Sequence, residues 1–92
     1  MSVIHCGRCG YDIAIPELST DEKSMLLYLY RVGKSLSVVE QLRRVNGLDL
    51  AQAKAILDHL TPQSSQCHRC DFNTLAEGVS QCPKCKSVNL NW

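Results

Sequence analysis

The feature that most constrains this chain is its cysteine spacing: all six cysteines fall in three Cys-x-x-Cys pairs, Cys6/Cys9, Cys67/Cys70 and Cys82/Cys85, within 92 residues. A two-residue gap lets one tight turn aim both sulfurs at a single ion while nearby backbone N–H groups stabilise the thiolates. Zinc takes four such ligands in a tetrahedron. A chain this short buries only about 60–65% of its unfolded surface, so its apolar core is limited and external staples are expected. Cysteines so regularly paired read as metal ligands in a reducing compartment rather than as disulfides.

Cys67, Cys70, Cys82 and Cys85 form the run CHRC, 11 residues, CPKC. This spacing favours one local four-thiolate site, and such a shell leaves no open position for water or substrate, so the site is expected to be structural. Cys6 and Cys9 leave two options. They could hold a second zinc with two of His5, His59 and His68, or they could join a C-terminal knuckle with the intervening block looped out. The longer loop adds only about 1.5 kcal/mol of closure entropy. That is small beside the roughly 10–16 kcal/mol of structural zinc binding, so loop length does not choose between one ion and two. His5 adjoins Cys6 and His68 lies inside another knuckle, while His59 faces away from much of its helix's apolar stripe and reads as a solvated residue. A redox Cys-x-x-Cys is the lesser reading, because three pairs together point to ligation.

The chain reads as a single α+β domain: a knuckle and strand over residues 1–18, a helical block over 19–60, and a second cysteine-rich block over 61–92. A capping box, Ser19 with Glu22, opens a helix over 20–32 that buries Met25, Leu26, Leu29 and Val32 and stops at Gly33. A second box, Ser37 with Glu40, predicts a helix over 38–46 that buries Val38, Leu42 and Val45 before Gly47. Asp49 with Gln52 caps a third, carrying Ala53, Ile56, Leu57 and Leu60, with Leu48 as a staple on Ala53 and Thr61-Pro62 as the stop. Helices two and three form an αα-hairpin. Val88, Leu90 and Trp92 alternate with Asn89 and Asn91, the period of a half-buried strand.

The C-terminal block, with its CPKCKSVNLNW run, resembles a rubredoxin-like zinc ribbon, and the run CGRCGYDI from Cys6 to Ile13 resembles that family's first knuckle. The resemblance implies structural metal, with iron as the rival to zinc because four thiolates accept either. The family often has glycine after the second cysteine of a knuckle. Gly10 conforms, whereas Asp71 and Lys86 depart. Asp tolerates the left-handed turn better than Lys, which puts the last knuckle's geometry in question.

The hairpin, through Gly47, Leu48, Leu50, Ala53 and Lys54, resembles the C-terminal domain of the bacterial ribosomal stalk protein, whose exposed hairpin face binds translational GTPases. By position, the resemblance implies a partner-binding role for Val39, Arg43 and Lys54, although Glu40 and Ala51 stand where that family usually has basic residues.

Ten basic and nine acidic residues leave a formal charge of +1, which argues against broad attraction to nucleic acid or anionic lipid. No apolar run approaches the roughly 20 residues that a membrane span needs. The start, MSVIHCGRCG, lacks a secretory pattern, so a cytoplasmic protein is expected. The leading expectation is a zinc-binding module that docks a protein partner. The alternative is a nucleic-acid-binding zinc ribbon using Arg8, Arg43, Arg44, Arg69, Lys84 and Lys86, for which few aromatics are available to stack on bases. The basic residues inside the knuckles, Arg8, Arg69 and Lys84, also suit a plainer role as cations offsetting thiolate charge. No nucleophile–base–orienter set is visible, so an enzyme is not expected.

Overall fold

The computed structural model describes residues 2–92. In chain order, β1 (Ser2–His5), β2 (Asp12–Ile15), α1 (Thr20–Arg31), α2 (Ser35–Asn46), α3 (Leu50–His59), β3 (Gly78–Gln81) and β4 (Val88–Asn91) make an α+β fold with a strand pair at each end of a three-helix block. Both pairs are antiparallel, with Ser2 opposite Ile15 in one and Gly78 opposite Asn91 in the other. Each hairpin turn is itself a cysteine knuckle, so whatever fixes the knuckle also fixes the strand register. The third knuckle lies in the segment between α3 and β3.

One apolar core joins the helices to both ribbons. Ile13 of β2, Leu26 and Leu27 of α1, Val38, Val39 and Leu42 of α2, Ala53 and Ile56 of α3, and Val88 and Leu90 of β4 are buried together with Cys6. Each fully buried Leu or Ile contributes roughly 1.5–3 kcal/mol. A parallel bridge between Leu60 and Leu90 ties the end of α3 to β4. A separate small cluster of Cys67, Leu75 and Cys82, with Phe72, Cys70 and Cys85 against it, surrounds the C-terminal sulfurs.

The capping boxes at Ser19 and Asp49 are both formed, and Gly33 and Gly47 take the left-handed conformations that end α1 and α2. The α2 start differs from expectation. The helix begins at Ser35 behind Lys34, which makes no side-chain cap, and Ser37 lies inside the first turn. The Lys34 carbonyl accepts from the N–H groups of Ser37 and Val38, so the backbone turn closes without the predicted box. The inward face of α1 is also rotated: Leu26 and Leu27 are buried, with Leu29 and Tyr30 packed partly beside them, while Met25 and Val32 are exposed. Val45, in the last turn of α2, is exposed as well.

The β4 strand is not half-buried. All four of its residues are buried, because the segment before β3 covers the face that carries Asn89 and Asn91. The Asn91 side chain accepts from the Ser65 N–H at 2.9 Å and donates to the Ala76 carbonyl at 3.0 Å.

Candidate metal centre

The three knuckles share one backbone device. The first cysteine's N–H donates to the carbonyl five residues on, from Cys6 to Tyr11 at 2.9 Å, Cys67 to Phe72 at 2.8 Å and Cys82 to Ser87 at 2.8 Å. In the first and last knuckles a further bond returns to the cysteine carbonyl from Gly10 and from Lys86, and both residues are left-handed, with φ of 73° and 68°. Thus Lys86, the poorer candidate, takes the turn, and Asp71 does not. Among the described residues no equivalent return bond closes the second knuckle, so nothing there demands positive φ.

The sulfurs of Cys67, Cys70, Cys82 and Cys85 all lie within 4.8 Å of one another. Cys67 and Cys85 are 3.6 Å apart, and Cys70 and Cys82 are 3.5 Å apart. A disulfide needs about 2.05 Å. A tetrahedral ion bonded to sulfur at about 2.3 Å sets its ligands about 3.8 Å apart, which is the spacing that the quartet approaches.

The electrostatics point the same way. Burial raises the Cys67 pKa, but the N–H groups of Arg69 and Cys70 and the Asn89 amide outweigh it and bring the thiol down to about 6. At Cys70 the Phe72 N–H lowers the pKa, yet burial and the three neighbouring sulfurs prevail and push it up to about 12. Burial likewise raises Cys85. Cys70 and Cys85 are thus held towards the protonated form beside Cys67, an obstacle that a bound cation would offset. Asn89, fully buried, braces the knuckle by accepting from the His68 N–H at 2.8 Å and donating to the Cys67 sulfur at 3.4 Å. Lys84 is paired with Asp71, which lowers the Asp71 pKa and raises that of Lys84, so its charge goes first to that carboxylate.

A second group consists of Cys6, Cys9 and His59. Cys6 is buried at the end of the main core, and its sulfur accepts from the Val88 N–H at 3.4 Å. Burial raises the Cys6 pKa, but the N–H groups of Val88, Cys9 and Arg8, with His59, bring it down to about 5. His59, expected in solvent, is only 5% exposed. Its Nδ1 lies 2.6 Å from the Ala55 carbonyl. A carbonyl can only accept, so Nδ1 carries the proton and Nε2 turns its lone pair towards the Cys9 sulfur, 3.6 Å away. A tetrahedral zinc with one sulfur and one nitrogen ligand separates them by about 3.6 Å.

No family model, no curated protein and no solved structure matches the chain. The ribbon-like character therefore rests on the quartet itself, and no match supports the stalk-protein resemblance of the hairpin.

The looped-out pairing is not what forms: the C-terminal quartet is local, and Cys6 and Cys9 meet α3 instead. The other histidines go elsewhere. His5 pairs with Asp12 at 2.8 Å, and His68 Nε2 contacts the Ser87 hydroxyl at 2.8 Å and the Val88 carbonyl at 3.1 Å. The sequence did carry a signal for His59. It sits four residues after Ala55, which is itself buried, so a wheel that counted the small alanine as core would have turned His59 inward.

The three residues suggested by the hairpin resemblance do not share one face. Val39, only 8% exposed, and Arg43 border a groove with Leu36, Leu48 and Leu50, whereas Lys54 borders a cavity beside Cys9, His59 and Arg69. Arg44 is paired with Glu40. Among the described residues no helix is long and apolar enough to cross a membrane.

Proposed function

We propose that this protein is a small zinc-binding interaction module, in which Cys67, Cys70, Cys82 and Cys85 hold a structural zinc and the α2–α3 hairpin docks a protein partner. The observation that carries the metal half is the quartet's spacing, which fits a closed tetrahedral shell. Zinc is preferred to iron because the proposed role is to fix structure, which needs no redox change. The docking half is supported by exposed apolar side chains on the hairpin, Leu36 at 86% foremost, beside Arg43, which forms no salt bridge among the described residues. Such a surface suits a partner presenting an apolar stripe flanked by acidic residues.

Native mass spectrometry of protein purified without chelator tests the first half; zinc bound to every folded chain is the expected result. A fully ordered chain carrying no metal would overturn it. For the second half, proteins captured by the wild type are compared with those captured by a Leu36→Glu/Arg43→Glu variant of unchanged fold. Identical capture by the two would remove the hairpin from the reading.

A further inference from the structure

The two cysteine groups differ in one respect: the C-terminal quartet is complete, whereas Cys6, Cys9 and His59 supply only three ligand atoms. Cys9 is exposed, and it and His59 border a cavity of about 370 Å³ whose wall also includes Tyr11, Lys54, Asp58 and Arg69. That volume falls within the range of small-molecule sites, roughly 300–1,000 Å³. His68 is a further candidate donor, its ring centroid 5.1 Å from that of His59. Its Nε2 faces the Val88 carbonyl, which can only accept, so that nitrogen carries a proton, and neither ring nitrogen joins the three ligand atoms that lie within 4.8 Å of one another. The His59 tautomer set by Ala55 leaves its own Nε2 free to bind metal.

We propose that Cys6, Cys9 and His59 bind a second metal ion whose fourth coordination position opens into this cavity and takes a small anion. The proposal rests on the metal-binding reading above but concerns a separate set of residues. Two thiolates neutralise a divalent ion, and the Lys54 and Arg69 cations outnumber the Asp58 carboxylate in the wall, so the cavity favours a negatively charged donor. Binding is a ligand exchange in which the anion's lone pair replaces a water on the metal and no electrons are transferred.

Cobalt(II) titration of the full chain, read by visible absorption with azide as the probe anion, tests this. The expected result is two equivalents bound, with azide shifting only the bands that grow in with the Cys6–Cys9–His59 ion. The His59→Ala variant should bind one equivalent and show no azide response. One equivalent in the wild type would remove the second site and leave the quartet intact, while none would overturn the metal reading altogether. Two equivalents with no azide response would overturn the open position, and an azide response appearing only in His68→Ala would name His68 as the ligand that closes it.

Discussion

Replacing Asn89 with alanine should separate bracing of the metal knuckle from ordinary packing. The side chain makes three contacts inside the fold: it accepts from the His68 N–H, donates to the Ser87 carbonyl at 3.1 Å and donates to the Cys67 sulfur. The two neutral bonds are worth about 1 kcal/mol each. The bond to sulfur is charge-assisted once Cys67 is a thiolate, and adds about 1.5 kcal/mol. Because Asn89 is fully buried, no water replaces these partners, and the total cost should be about 3–4 kcal/mol, a large share of the stability of a small domain.

Only the sulfur bond depends on metal. Asn89→Ala should therefore weaken metal affinity about tenfold, the size expected for a lost bond to a ligand atom. Asn89→Asp keeps the acceptor for His68 but sets a carboxylate beside the thiolate, so it should lose more affinity than the alanine variant despite its closer shape. Denaturant melts give the stability, and competition against a chromophoric chelator gives the affinity. If both variants bind metal as tightly as the wild type, the amide does not support the thiolate and the reasoning fails.

Lys86→Gly should stabilise the fold by about 1 kcal/mol, because the left-handed turn at φ 68° carries a side-chain penalty that glycine lacks. A rise in Tm of several degrees is the readout, and no rise would mean that the turn is unstrained. Asp49→Ala should cost about 1 kcal/mol through the lost cap, while Ser37→Ala should be nearly neutral because Ser37 caps nothing; equal losses in melts would contradict the observed start of α2.

In metal-free protein, Cys6 and Cys67 have folded pKa values below the ordinary thiol value, so the unfolded state binds more protons and stability should rise between about pH 5 and pH 9. Cys70 and Cys85 are shifted upward and should reverse the trend above pH 9. A flat profile in denaturant melts across this range would contradict these assignments.

The gathering of Cys67, Cys70, Cys82 and Cys85 into one cluster was readable from spacing alone, because two close cysteine pairs leave few ways for their sulfurs to meet. The helices were readable where a cap and an apolar period agreed, at Ser19 and Asp49, and misread where an apparent box at Ser37 competed with a backbone turn three residues earlier, at Lys34. What the sequence hid was tertiary. Nothing local reveals that Asn89 and Asn91 face a covering segment rather than water, since an Asn is polar in either setting. His59 was hidden for a similar reason: its burial depends on an N-terminal knuckle that arrives from 50 residues away.

The contact between Cys6 and the N–H of Val88 spans nearly the whole chain. It imposes an order of events. The quartet can close within a short stretch, whereas the N-terminal pair must wait for α3 and then for β4 before its sulfurs acquire their neighbours. During synthesis Cys6 thus leaves the ribosome before β4 exists to cover it, and a thiol-modifying agent should mark Cys6 in nascent chains that lack β4 but not the buried Cys6 of the finished protein.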